Sequence, residues 1–465
     1  MFDYRKIRIK RAYTFKHMNI VIVGAGEVGY CLADELSRKN HGVVVIEEGV
    51  KSALYMDEQL NVLVIQGNGS SAEVLVQAGV ASCDYFLSTT ADDRTNLVAC
   101  SLAKALGAKN TVARLHDQSY IDNQIVNYQL HFGVDYLFSP EALCAMEIAK
   151  IIRNPDRVMV QNFARGEIEV QGVTVSSGSS YAYKALKDLS LDANVRVGFI
   201  HRDNKVIIPE AETTILPLDT VTLFGNAEVL LQEQEKWEGS QKEQALRVVL
   251  YGGDETSISL VRLLRNPRFK VRIVEKDLKR CKTLAEKFPQ ATIINGDGTS
   301  RRLLEEEQIG SVDYFVGASR DDEDNVMTCL QAKQLGAKNV ILLINKPDYE
   351  GILDHIGNSI GIEKFVSPRI ASRNDMLRHI SDESFVYLST LPNKIGRILE
   401  VRIDSDSQAV GKTVRELDLK GIPIVALLHK FSVKVPLPED TILAGDRLIV
   451  IAPEDKIKTA LKVLL

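Results

Sequence analysis

The 465-residue chain carries 57 Lys and Arg against 62 Asp and Glu, for a net charge of −5, with 45% apolar and 26% charged residues. This composition suits a globular protein of about three or four domains, each able to bury its own core. It supplies no basic excess to follow a phosphate backbone, which excludes nucleic acid as an expected partner.

In chain order, Met1–His17 is polar and basic, without periodicity and without the apolar core of a signal peptide. We read 1–17 as an extension upstream of a native start at Met18. From there β-branched runs alternate with helical spacing, as a parallel sheet covered by helices requires. Strands are expected at Ile20–Val23, Val43–Ile46, Val62–Ile65, Tyr85–Ser88 and Thr111–Arg114, and helices at Tyr30–Lys39, Ala72–Ala78, Arg94–Leu106 and Tyr120–Leu130. No run approaches the roughly 18 apolar residues of a spanning helix, so no direct membrane insertion is expected. The six cysteines, Cys31, Cys83, Cys100, Cys144, Cys281 and Cys329, form no C-x-x-C pair and suit a reduced cytoplasm.

The pattern then repeats. Gln66-Gly-Asn-Gly-Ser-Ser returns as Asn295-Gly-Asp-Gly-Thr-Ser, and Leu106-Gly-Ala-Lys-Asn returns as Leu335-Gly-Ala-Lys-Asn. About 19 of the 44 positions from Gly67 to Asn110 are identical in Gly296 to Asn339, far above chance self-similarity. Pro209–Phe224 likewise aligns on Pro436–Ile451, pairing Asp219 with Asp446. The expected organisation is α/β: a Rossmann-like piece at 18–153, a small mixed αβ module at 154–231, a polar linker at 232–245, a second Rossmann-like piece at 246–381 and a second small module at 382–465. The small modules are expected to carry short helices at Ala182–Leu189 and Thr413–Leu417.

The sharpest motif is Val21-Ile-Val-Gly24-Ala-Gly26-Glu-Val-Gly29, a strand entering a G-x-G-x-x-G turn. Gly24 permits the tight turn, Gly26 lets backbone approach a pyrophosphate, and Gly29 lets the helix pack closely on the strand. Phosphates would face the unpaired N–H groups at the helix start. Glu47 ends the second strand, where a carboxylate accepts from a ribose hydroxyl and disfavours a 2′-phosphate, so NAD is expected over NADP. Arg114 ends the fifth strand and reads either as a surface ion pair or as a phosphate ligand. In the second copy, pairing the loops residue by residue sets Tyr251 against Gly24, Gly253 against Gly26 and Thr256 against Gly29, while Leu343 replaces Arg114 and Arg369 replaces Glu141. These losses predict asymmetry: the first cleft carries the NADH response, and the second binds a mononucleotide weakly or serves as packing surface.

Asp92-Asp93 and Asp321-Asp322-Glu323-Asp324 lack calcium-loop spacing and read as solvated helix starts. The histidines are scattered without H-E-x-x-H, and no G-x-S-x-G appears, so neither a metal centre nor a catalytic constellation is expected. A dehydrogenase with duplicated cofactor domains is the rival reading.

Gly24-Ala-Gly-Glu-Val-Gly29, Gly67-Asn-Gly-Ser70, Ala113-Arg114, Ser139-Pro-Glu141, Val410-Gly-Lys-Thr-Val-Arg-Glu-Leu417, Pro438-Glu-Asp-Thr441 and Gly445-Asp446-Arg447 together resemble the TrkA family of potassium-uptake regulators, from Met18 to Leu465. The resemblance implies two tandem RCK units on a cytoplasmic chain, assembled as a tetrameric ring on a Trk-type membrane channel, with NAD(H), ADP or ATP in the clefts. It implies a first site of Gly24, Ala25, Gly26, Glu27 and Val28 at the phosphates, with Gly29 closing the loop, Glu47 at the ribose, and Thr90, Ala91 and Arg114 beyond the fourth and fifth strands. A weaker second site would comprise Gly252, Gly253 and Glu275. An RCK regulator of a different cation transporter or antiporter is a third reading.

Overall fold

The computed structural model describes residues 17–121, 125–153, 168–192, 194–203, 205–238, 245–356, 361–362, 364–380, 384–390, 396–419, 421–429 and 432–465. The expected extension, except His17, and the expected boundaries at 154 and 381–383 lie outside these residues. Two compact units result, one built from the two larger pieces and one from the two smaller.

The first larger piece runs β1 (Asn19–Val23), α1 (Glu27–Arg38), β2 (Gly42–Glu47), α2 (Val50–Gln59), β3 (Leu63–Gln66), α3 (Ala72–Gln77), β4 (Tyr85–Ser88), α4 (Asp93–Leu106), β5 (Asn110–Arg114), α5 (Tyr128–Phe132), β6 (Tyr136–Phe138) and α6 (Pro140–Arg153). Its sheet is parallel, in the order β3-β2-β1-β4-β5-β6. The apolar strand residues are covered on both faces: Val21, Phe86 and Cys100 lie in one cluster, Ile20, Leu32 and Leu36 in another. The acidic pair opens α4 as expected of a helix start, with Asp92 accepting from the Thr95 N–H at 2.9 Å, and Gly107 closes it at φ +111°.

The helix expected over Tyr120–Leu130 does not form as one element. A single 3₁₀ turn covers Gln118–Tyr120, and α5 starts only where the Asn127 side chain accepts from Leu130 N–H at 2.9 Å. Residues 122–124 lie outside the described residues; of the apolar side chains flanking them, Ile125 is 92% and Leu130 76% exposed, so they bury little that would hold a longer helix, and polar side chains such as that of Asn127 bond the backbone instead. Three elements, α2, β6 and α6, had no counterpart in the sequence reading.

The first small module contains β7 (Glu169–Thr174), β8 (Val195–Arg202), β9 (Lys205–Ile207), β10 (Thr220–Gly225) and α7 (Ala227–Glu238), its antiparallel sheet ordered β7-β10-β8-β9. Helix α7 corrects the linker reading, because the first half of 232–245 belongs to it. Trp237 is fully buried with its ring 4.8 Å from that of Tyr181. The polar residues beside it are satisfied internally: Gln171 Nε2 donates to Gln234 Oε1 at 2.6 Å and Tyr181 Oη donates to Glu233 Oε2 at 3.0 Å. A buried polar face of this kind is silent to hydropathy.

The second larger piece repeats the first: β11 (Leu246–Tyr251), α8 (Glu255–Leu263), β12 (Phe269–Glu275), α9 (Leu278–Lys287), β13 (Thr292–Asn295), α10 (Arg301–Glu306), β14 (Tyr314–Gly317), α11 (Asp322–Leu335), β15 (Asn339–Leu343), α12 (Pro347–Ile356), β16 (Lys364–Val366) and α13 (Pro368–Ile380), with sheet order β13-β12-β11-β14-β15-β16. Its last helix leaves its own sheet. Met376 and Ile380 of α13 are buried in the cluster of Ile20, Leu32 and Leu36, and Tyr136 Oη donates to Asp375 Oδ2 at 2.8 Å. The two pieces therefore share a core.

The second small module has β17 (Phe385–Thr390), β18 (Gly396–Arg402), β19 (Ile424–His429), β20 (Ser432–Lys434), β21 (Arg447–Pro453) and α14 (Ile457–Leu464), ordered β17-β18-β21-β19-β20. The paired aspartates occupy matching positions. Asp219 accepts from Leu216 N–H at 2.7 Å and Asp446 from Leu443 N–H at 2.8 Å, each buried at the foot of a strand. The short helices expected at Ala182–Leu189 and Thr413–Leu417 are single 3₁₀ turns, Leu186–Asp188 and Val414–Glu416, too short to nucleate an α-helix. Phe199, Phe224, Ile398 and Ile449 join the two modules in one cluster. Gly198 permits this contact, since a Cβ there would lie 2.3 Å from Phe224 and 2.7 Å from Ile451.

Candidate functional site

The strand order reverses between β1 and β4, which opens a crevice beyond their carboxyl ends, the usual ligand position in a doubly wound sheet. The glycine loop lies there. Gly24 adopts φ +98°, and its N–H donates to the Ile46 carbonyl at 2.9 Å. A Cβ on Gly29 would fall 2.0 Å from the Gly24 carbonyl oxygen, whereas one on Gly26 would meet nothing within 4 Å. Gly29 is thus required by packing, and Gly26 borders open space. Helix α1 begins there with Gly26 as N-cap and no side-chain cap, leaving its first N–H groups directed at the crevice.

Glu47 ends β2 beside the loop. Its Oε2 accepts from Ala25 N–H at 2.6 Å and its Oε1 from Gly49 N–H at 2.8 Å, so the carboxylate also fixes the turn. Thr90 abuts Gly24, its backbone nitrogen 3.1 Å from where a Gly24 Cβ would be, and Ala91 is exposed beside it. Arg114 is mostly buried. Its Nε has no hydrogen-bond partner, its guanidinium is 3.9 Å from Glu141, and burial lowers its pKa against the opposing pull of Glu141, Asp93 and Glu27. It is neither an ordinary surface ion pair nor fully satisfied. Burial also raises the pKa of Glu27, with Asp322 adding to the effect.

A residue missed in the sequence organises this edge. Asn96, fully buried, donates through Nδ2 to the carbonyls of Thr90 at 3.0 Å and Arg114 at 2.9 Å. Its Oδ1 accepts from Ser88 Oγ at 2.9 Å, Thr90 N–H at 2.9 Å and Thr90 Oγ1 at 2.7 Å. Asn325 repeats the arrangement with Ser319 and Leu343. Its recurrence at the same place in both copies was the available signal. Asp93 and Asp322 likewise depart from the solvated reading. Asp93 accepts from His116 and Asp117 N–H groups, and Asp322, 1% exposed, from those of Asn345 and Lys346, which ties down the loops after β5 and β15.

Glu141 accepts from His116 at 2.8 Å and from Ser139 Oγ at 3.1 Å. Burial pushes its pKa up, but the hydrogen bond and charge of His116, with Arg114, hold it below the ordinary 4.5. A carboxylate depressed in this way stabilises the fold above its unfolded pKa and ceases to do so as pH falls through the folded value. Melting temperatures of the wild type should therefore fall more steeply than those of Glu141→Gln below about pH 4.5, the two curves converging in acid. Parallel curves would remove this linkage.

The second cleft corrects the residue pairing expected above. Gly252, at φ +96°, takes the place of Gly24, its N–H bonding to Val274 as that of Gly24 does to Ile46. The Gly253 N–H donates to Glu275 Oε2 at 2.8 Å, matching Ala25 and Glu47. Tyr251 therefore matches Val23, Asp254 matches Gly26 and Ser257 matches Gly29. The earlier pairing was one residue out, because two adjacent glycines admit two registers. Ser257 Oγ donates to the Gly252 carbonyl at 2.6 Å, so the helix stands off by a hydroxyl where Gly29 allows close contact. Arg369 pairs with Glu350 and lies 3.7 Å from Cys31 Sγ on α1. Among the described residues, no helix is long and apolar enough to cross a membrane and no group of three or more His, Cys, Asp or Glu is placed to hold a metal.

This is a duplicated regulatory unit, each copy a Rossmann-like parallel sheet followed by an antiparallel module. The TrkA-N domain family matches residues 20–140 and 248–368, and the TrkA-C domain family matches 170–234 and 398–465; the chain belongs to the TrkA family, whose members regulate rather than catalyse. It is 33% identical over 442 residues to Trk system potassium uptake protein TrkA homolog 1 of Methanosarcina mazei, covering 93% of this chain and 97% of that one. It is 31% identical over 452 residues to Trk system potassium uptake protein TrkA of Haemophilus influenzae, covering 94% and 96%. The structure of the GsuK channel bound to NAD shares the fold at a TM-score of 0.56 and 18% identity, over 97% of this chain and 79% of that one.

Proposed function

We propose that the chain is a cytoplasmic nucleotide-sensing subunit that gates a Trk-type membrane potassium channel, with NAD(H) in the first cleft and ATP or ADP as alternative occupants. The observation that carries this reading is the open space at Gly26 over the uncapped start of α1, at the point where the strand order reverses, where helix N–H groups commonly receive a phosphate. The N–H groups of Gly26, Glu27 and Val28 would face the phosphates and Glu47 the ribose. Thr90, Ala91 and the unpartnered Arg114 Nε would border the far end. Gly252, Gly253 and Glu275 outline the second cleft.

Gating requires only a ligand that binds two conformations of the assembly unequally, since its leverage equals that difference in binding free energy. A tetrameric ring of these chains, peripheral on the membrane through the channel, would convert several small preferences into one opening. Copurification from membranes, with identification of the captured transporter, tests the partner: a Trk-type channel is expected, and capture of an antiporter or another cation transporter in its place would overturn that assignment.

Glu47→Ala should weaken NADH binding by about 1–3 kcal/mol, the range for losing a hydrogen bond to a charged group, as measured by calorimetry. Glu275→Ala should leave NADH affinity unchanged. Equal affinity in folded Glu47→Ala would remove Glu47 from the site.

A further inference from the structure

Where the first cleft is open at Gly26, the second carries a cluster of its own charged side chains. Asp254 stands at the backbone position of Gly26, yet it does not cap α8, although N-cap aspartates commonly accept from the helix backbone. Its Oδ1 instead lies 2.9 Å from an Arg280 terminal nitrogen and 3.2 Å from Arg320 Nε. Arg280 Nε also donates to the carbonyl of Gly253 at 2.8 Å. The corresponding residues of the first copy are Gly26, Ser52 and Ala91, all neutral. Three changes have thus brought one carboxylate and two guanidiniums to the place where the first copy leaves space beside a helix start. Glu255 Oε1 also lies 4.0 Å from the same Arg280 nitrogen, so two carboxylates and two guanidiniums now share a site that favours negative charge.

We propose that the Asp254 carboxylate stands in for a nucleotide phosphate, so that the second cleft takes no nucleotide in the native chain while retaining a built anion site of Arg280, Arg320 and the start of α8. This rests on reading the first cleft as the phosphate site. A bound phosphate would have to displace Asp254 from both arginines and would meet its charge at close range. With Asp254 removed, the same two arginines and the free N–H groups of α8 fit the diphosphate of a nucleoside diphosphate.

The test is calorimetric titration of the full chain with ADP, in a Gly26→Asp background that silences the first cleft. That background should bind no ADP. Adding Asp254→Gly should create one saturable site per chain, and adding Arg280→Gln to that variant should abolish it. Asp254→Gly/Ser257→Gly, which also restores close helix packing, serves as a second route to the gained site, and thermal melting confirms that each variant is folded. Because the gain is counted above the silenced background, it is expected even if the wild-type first cleft binds nothing, an outcome that would sink only the reading of the first cleft. The proposal is overturned if the Gly26→Asp chain already binds ADP and Asp254→Gly weakens that binding. It is equally overturned if neither Asp254 variant gains a site while melting as cooperatively as its parent.

Discussion

Gly26→Asp is expected to abolish NADH binding, a loss of at least about 100-fold, or roughly 3 kcal/mol, while leaving the melting temperature nearly unchanged. The two halves of this expectation have separate causes. A side chain at Gly26 meets no protein atom within 4 Å, so the fold does not resist it. The same carboxylate would occupy the phosphate position and repel the phosphate charge across a short, partly desolvated distance. Gly29→Ala provides the contrast. Its Cβ would fall 2.0 Å from the Gly24 carbonyl, so it should lower the melting temperature and reduce binding only through the displaced loop. Full NADH affinity in folded Gly26→Asp would place the nucleotide elsewhere. The second copy already carries this substitution, as Asp254.

Asn96→Ala should destabilise the protein by about 3 kcal/mol, because it strands several buried donors and acceptors, each costing about 1–3 kcal/mol when unsatisfied, with partial relaxation. Asn96 links the end of β4, the start of α4 and the end of β5 through five hydrogen bonds. Two of these hold the carbonyls of Thr90 and Arg114, so NADH affinity should fall as well. Asn325→Ala removes the matching bonds of the second copy and should cost comparable stability without touching NADH affinity. Calorimetric melting and NADH titration of the two variants together separate these effects. Equal loss of affinity in both would show that stability, rather than the geometry at Arg114, governs binding.

Five of the six strands of the first sheet were legible because four-residue apolar, mostly β-branched runs sat between turn signals, while the three-residue β6 was too short to stand out, and the duplication was legible because long stretches recur. The loop glycines were legible because backbone sterics restrict those positions to a few residue types. The register of the second loop was not: Gly252 and Gly253 are adjacent, and only the positive φ and the hydrogen bonds to Val274 and Glu275 decide which one turns the chain. Helix α7 was hidden because Glu233 and Gln234 are buried by partners distant in sequence.

The sequence by itself determined the α/β class, the repeat, the place of the first glycine loop between β1 and α1 and the absence of its full glycine set from the second copy. These follow from local sterics and periodicity, which each segment carries alone. Only the tertiary structure decided that Arg114 keeps an unpartnered Nε, that Asn96 binds three chain segments together and that Asp254 faces Arg280 and Arg320. It also decided that α13 completes the core of the other copy. Each of these depends on which distant side chains meet, and hydrogen-bond satisfaction and core burial are properties of the meeting rather than of any one segment.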